Sequence, residues 1–256
     1  MEVTELSKGR YELKAPTSVE AGVVEVSLKN GAKAPADAQI YRVDGGHSAK
    51  ELVEKVLESP DGAPTPDWAH AAGGVGRTAP GKTGFAAQIL DPGSYYILDA
   101  ASGEEENAKS HAANGAVAAL QVTGEAKGAL PATGATITAG APQEYRFTSK
   151  GLKAGTNRLT YDNKGKQPHH VVAFPFRGDA TLEQVKAAFM SEGEPKGPPP
   201  VDFEGARGTV LTDGGRKIVT DLELERGRYA LVCFVSDRKG GPPHVAKGMI
   251  AEAKVK

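Results

Sequence analysis

The chain matches itself at an offset of about 133 residues, and an internal repeat of that size constrains the fold before any single residue does. Asn163 follows Asn30 by 133 positions, and the same step carries Pro35 onto Pro168, Gly45 onto Gly178, Ser48 onto Thr181 and Glu51 onto Gln184. Tyr95 and Tyr229, like His111 and His244, correspond within one further residue. Short apolar runs such as AGVVEVSLKN, AQIYRVD, GFAAQIL and SYYILDA alternate with turn residues, and the chain carries 32 Gly and 17 Pro. That rhythm points to β-sandwiches. Ser48 with Glu51 and Thr181 with Gln184 form capping boxes; the stripe Leu52, Val53, Val56, Leu57 behind the first is matched by Leu182, Val185 and Phe189 behind the second. Pro60, Pro64 and Pro66 are expected to end the first helix and open a long loop holding Trp68 and His70. GEAKGALPATGATITAGAP is small, low in charge and rich in Gly and Pro, as linkers are. The expectation is an all-β chain of two tandem β-sandwiches, each with one inserted short helix that covers a sheet edge or end. The first domain is expected over 1–123, the linker over 124–142 and the second domain over 143–256.

The second repeat carries chemistry that the first lacks. Its stretch YALVCFVSDRKGGPPHVAKGM holds Cys233, the single cysteine of the chain, then His244 and Met249, and a second imidazole lies upstream at His169 in DNKGKQPHHVVAF. Two imidazoles, one thiolate and a weak thioether are the donors of a blue copper site. His169 is the expected ligand rather than His170, because neighbours in a strand point to opposite faces and His170 falls on the outer face or surface. At the matching positions the first repeat has Ala36 for His169, Asp99 for Cys233 and Ala116 for Met249, and keeps only His111. The first repeat is therefore expected to hold no such metal.

These motifs resemble those of the cupredoxins, the family of plastocyanin and of nitrite-reductase-type copper domains. Asn163, Gly165, Pro168, His169, Val171 and Val172 look like the turn and PH-x-VV strand with the first ligand; Tyr229, Cys233, His244, Gly248 and Met249 look like the Y-x-x-x-C strand and its ligand loop. Four residues separate His244 from Met249, as in that family, while ten separate Cys233 from His244, a lengthened loop like that of nitrite-reductase-type domains. The resemblance implies Greek-key sandwiches and one type 1 copper in the second domain, bound by His169, Cys233, His244 and Met249. It also implies an extracytoplasmic location, with the secretory signal removed from the chain, and a redox or binding partner.

Composition narrows the alternatives. Lys plus Arg is 31 and Asp plus Glu 32, so no excess charge steers the protein to nucleic acid or an anionic membrane, and no apolar run reaches bilayer length. One cysteine excludes an internal disulfide and a Cys-rich zinc site. Val232 and Phe234, not histidines, flank Cys233, and the chain has no HxH, GxSxG or HExxH motif. Two other readings remain open from the residues. One is a metal-free sandwich module that meets a partner through the loops around Trp68 and PKGPPPVDF. The other is a two-domain copper oxidoreductase whose second metal would lie between subunits of a trimer.

Overall fold

A computed structural model describes residues 1–7, 9–57, 64–102, 108–191 and 197–256; Pro60 and the start of PKGPPPVDF lie outside them. The first half contains β1 (Glu2–Ser7), β2 (Arg10–Lys14), β3 (Ser18–Glu20), β4 (Gly22–Asn30), β5 (Ala36–Val43), α1 (Ala49–Val56), β6 (Ala69–Thr78), β7 (Thr83–Leu90), β8 (Gly93–Leu98) and β9 (Val117–Thr123). The second contains β10 (Ala135–Ala139), β11 (Phe147–Lys150), β12 (Gly155–Asn163), β13 (Val172–Pro175), α2 (Leu182–Met190), β14 (Arg207–Gly208), β15 (Lys217–Leu224), β16 (Gly227–Val232) and β17 (Ile250–Val255). Among the described residues no helix is long and apolar enough to cross a membrane.

Each half is a sandwich of two facing sheets, and the chain crosses between them several times. In the second half, β11-β10-β12-β15 faces β14-β13-β16-β17 over a core of Leu159, Tyr161, Ile218, Leu231 and Cys233. In the first half, β7-β4-β1-β2 faces β3-β9-β8-β5-β6 over Leu28, Ile40, Leu90, Tyr95 and Ile97. Each fully buried Leu or Ile contributes about 1.5–3 kcal/mol by leaving water.

The halves repeat each other's hydrogen bonds. Asn30 Nδ2 donates to the carbonyls of Ala34 and Thr78, and its Oδ1 accepts from the Ala32 N–H. Asn163 does the same with Gln167, Thr212 and Gly165. The expected capping boxes form at Ser48 and Thr181. The helices cover a face, not an edge or end. Leu52 and Val53 of α1 pack on the outward residues Tyr41 and Leu98, and Val185 of α2 packs on Phe174, Ala230, Val232 and Ile250.

Two strands depart from the expectation. Ala69–Thr78, expected as loop, is the ten-residue β6. Its AHAAGGVGRT sequence lacks alternation because it must lie close to β5: a Cβ at Gly74, where φ is +129°, would run into the Ala38 carbonyl. Ala135–Ala139, inside the stretch expected as linker, forms β10, and Ile137 is fully buried in the second core.

The two sandwiches share one sheet. β15 pairs antiparallel with β7 through Ile218↔Gln88, Val219↔Ala87 and Thr220↔Ala86, giving the eight-stranded order β11-β10-β12-β15-β7-β4-β1-β2. β7 and β15 are equivalent strands, so the repeats meet edge to edge about a local two-fold, and neither edge is left open to another chain. Gln39 fastens the junction, donating to the Leu211 carbonyl at 3.0 Å and accepting from the Leu211 N–H at 2.7 Å.

Candidate metal centre

The site lies at one end of the second sandwich, where β16 runs into the ligand loop. From Tyr229 onward β16 is apolar because both faces are covered: Tyr229 and Leu231 enter the core, while Ala230 and Val232 face α2. Cys233, the next residue, continues the inward alternation and is fully buried. The loop beyond it folds back on itself. The Val245 N–H donates to the Cys233 carbonyl at 2.8 Å, the His244 N–H to Val235 at 2.9 Å, and the Met249 N–H to His244 at 2.9 Å. Arg238 pins the polar SDRKGG segment to the first half, donating to the carbonyls of Pro66 and Ala69 at 2.9 Å and to Asp213 at 2.7 Å. His169 is set from the other side by paired backbone bonds with Thr212, each 3.0 Å.

Three of the four expected ligands converge. His169 Nδ1 lies 2.9 Å from His244 Nδ1, and Cys233 Sγ lies 3.8 Å from the first and 3.4 Å from the second. All three side chains are fully buried. Met249 is also fully buried and packs in the same core as Cys233, whose N–H donates to the Met249 carbonyl at 3.3 Å. The backbone N–H groups of His170 and Val235 donate to the Cys233 sulfur.

The far nitrogens of both imidazoles reach carboxylates. His169 Nε2 is 3.3 Å from Glu144 Oε1, and His244 Nε2 is 3.0 Å from Asp237 Oδ1. Glu144 accepts from the N–H groups of Lys166 and Gln167 at 2.8 and 2.9 Å. Asp237 also accepts from the Tyr145 hydroxyl at 3.0 Å and from Lys247, and the Tyr145 ring stands 5.1 Å from the His244 ring. Burial acts to raise both carboxyls, yet the hydrogen bonds each accepts, and for Asp237 the Lys247 ammonium, hold them below the usual range.

The donor chemistry fits a soft cation. An ionised carboxylate only accepts, so each Nε2 carries the proton and each neutral ring turns its Nδ1 lone pair toward Cys233. Two lone pairs facing each other at 2.9 Å repel unless a proton or a metal lies between them. Protonation is disfavoured: burial and the neighbouring imidazole bring His169 down to about 4, and burial lowers His244. Burial likewise pushes the Cys233 thiol up to about 12, and a bound metal would reverse that by stabilising the thiolate.

His170, expected on the outer face or surface, is turned away from the core that holds His169. It is half-buried, its Nε2 accepts the Phe234 N–H at 3.1 Å, and it lines a cavity of about 440 Å³ between the halves with Asp37, Arg77 and Ser236. His70 is a β6 residue 2.9 Å from Asp44, not a loop residue. Sequence reading missed Glu144, Tyr145, Asp237 and Lys247. One signal was present, since Tyr145 lies 134 positions after Tyr11, and Tyr11 stacks on His111 with centroids 3.8 Å apart.

No family model and no curated protein matches the chain. Among solved structures it is similar to auracyanin B, with 24% identity over 47% of this chain and 86% of that one, at a TM-score of 0.31. It is similar to the dithionite-reduced auracyanin of Roseiflexus castenholzii, with 18% identity over 48% and 95% of the two chains and a TM-score of 0.29. A third is the copper-containing nitrite reductase of Thermus scotoductus SA-01, with 13% identity over 99% and 59% and a TM-score of 0.25. At such TM-scores the likenesses carry no argument about the fold or the site.

Proposed function

We propose that the protein is a cupredoxin-like copper protein whose second half binds one type 1 copper through His169, Cys233 and His244, with Met249 as the weak axial ligand. It acts as an extracytoplasmic electron carrier or copper-handling protein. The observation that carries this reading is the convergence of two Nδ1 atoms and one sulfur in a buried core, with both Nε2 atoms committed elsewhere. Copper in such a donor set supplies a one-electron couple, Cu(II)/Cu(I). The chain contributes rigidity: the backbone-bonded loop from Cys233 to Met249 and the paired bonds at His169 hold the donors in one arrangement for both oxidation states. Burial of Met249 beside Cys233 supports its axial role. The matched bonds of Asn30 and Asn163 support two copies of a duplicated unit, the first having lost its metal, with the boundary before Ala135.

Metal-free protein titrated with Cu(II) is expected to develop an intense blue absorption that saturates at one copper per chain, and Cys233→Ser to lose it. Absence of a thiolate-to-copper band in the parent protein sinks the proposal.

A further inference from the structure

We propose that Glu144 and Asp237 are positioning residues, each accepting the Nε2–H of one imidazole so that both Nδ1 atoms face the metal before it arrives. This rests on the copper reading above and names the residues that prepare its site. Three observations carry it.

The first is geometric. Glu144 and Asp237 are the side chains that meet His169 Nε2 and His244 Nε2, and each is itself held: Glu144 by the Lys166 and Gln167 N–H groups, Asp237 by the Tyr145 hydroxyl and Lys247. A carboxylate fixed in this way orients a ligand imidazole and sets its tautomer. The second is coverage. Lys247 Nζ donates to the Tyr145 hydroxyl at 3.2 Å and stands 4.8 Å from the centre of that ring, so Tyr145, Asp237 and Lys247 close over His244, which is fully buried.

The third is the internal control. Counting back one repeat, Glu144, Asp237 and Lys247 correspond to Arg10, Gly103 and Asn114, while Tyr145 corresponds to Tyr11. Tyr11 still covers His111, so the aromatic cover is kept in both halves. At the aligned positions the first half has Arg10 and Gly103, so neither carboxylate has a direct counterpart in the sequence of that half. In the first half Asp99 accepts from His111 Nδ1 at 2.8 Å, and His111 Nε2 is buried with no hydrogen-bond partner among the described residues. That imidazole is positioned through the opposite nitrogen.

The test has two independent readouts. In metal-free protein, ¹⁵N chemical shifts of the ring nitrogens are expected to show the Nε2–H tautomer at both His169 and His244. Asp237→Ala is expected to lose that preference at His244 alone, and Glu144→Ala at His169 alone. In copper-loaded protein, competition with a chelator is expected to show roughly 10–100-fold weaker Cu(II) binding for either alanine variant. Asp237→Asn, which removes the charge but can still accept the Nε2–H, is expected to recover most of the affinity and to raise the reduction potential. Unchanged tautomers and unchanged affinity in both alanine variants, with thermal melting like the parent, overturn the proposal. A parent protein with the expected tautomers but no blue copper species refutes the copper reading and leaves the positioning intact.

Discussion

The two ends of the molecule where His111 and His244 sit share one backbone and differ in a few side chains. In both halves two backbone N–H groups point at the residue that ends the strand: those of Asp37 and Ala101 at Asp99, and those of His170 and Val235 at Cys233. In both, the loop returns a histidine through the same bonds, His111 to the Ala101 carbonyl and His244 to that of Val235. The first half fills this frame with a carboxylate whose other oxygen binds His111, and with Ala36 and Ala116 where the second has His169 and Met249. Both carboxylate oxygens of Asp99 are hydrogen-bonded. In the second half the frame holds three donor atoms that converge on one point, each within 3.8 Å of the others. The same loop can therefore finish as a closed hydrogen-bonded pair or as a metal site, and side-chain chemistry alone decides which.

The largest expected effect breaks the closed pair. Asp99→Ala leaves His111 Nδ1 and two backbone N–H groups buried without an acceptor, which costs about 3–5 kcal/mol. Cys233→Ala in metal-free protein removes only a small apolar group and costs about 1 kcal/mol. Urea unfolding of the two variants is the measurement, and equal losses would mean that the first site is no more self-satisfied than the second.

The halves are next expected to respond oppositely to pH. Burial and the nearby Asp99 raise the Asp37 carboxyl from 3.8 to about 8, so the native state holds more protons than the unfolded chain between those values and stability falls as pH rises through them. Burial and the two neighbouring histidines lower His170 from 6.5 to about 4, so the unfolded chain holds more protons there and stability falls as pH drops from 6.5 toward 4. Asp37→Asn should flatten the first slope and His170→Gln the second, in denaturation series at pH 4.5, 6 and 8, where the pH values are roughly spaced to bracket both groups. An alkaline slope untouched by Asp37→Asn would show that the carboxyl is not desolvated.

Copper uptake sharpens the same contrast. With the thiol raised to about 12 and both histidines neutral at pH 7, loading should release close to one proton per Cu(II), measurable by calorimetry in buffers of different ionisation enthalpy. Zero release would mean that Cys233 is not the ligand.

The smallest effects should be equal. Ser48→Ala and Thr181→Ala each remove an N-cap oxygen from a helix that covers the outer face of its sandwich, at about 1 kcal/mol apiece in thermal or urea unfolding. Unequal losses would show that α1 and α2 are not equivalent supports.

Whatever depended on local pattern or on repetition was legible in the chain. The capping boxes need only Ser48 with Glu51 and Thr181 with Gln184, three residues apart. His169, Cys233 and His244 were legible because one-residue steps along a strand set which face a side chain takes, and because the first repeat showed Asp99 and Ala36 in their places. What stayed hidden depends on approach between distant segments. β6 has no alternation to announce it, since its glycines serve the close passage of β5. Glu144 and Asp237 are ordinary acidic residues in polar stretches, and nothing within a few positions of either marks it as an imidazole partner.

Most strands other than β6 and β10, the two helices and the clustering of His169, Cys233 and His244 thus follow from the sequence, through periodicity, capping and the comparison of one repeat with the other. The pairing of β7 with β15, the anchoring of the ligand loop by Arg238 and the carboxylates behind each imidazole were decided by the tertiary structure. A free sheet edge or a carboxylate can bond to many partners, and only the packed chain selects one.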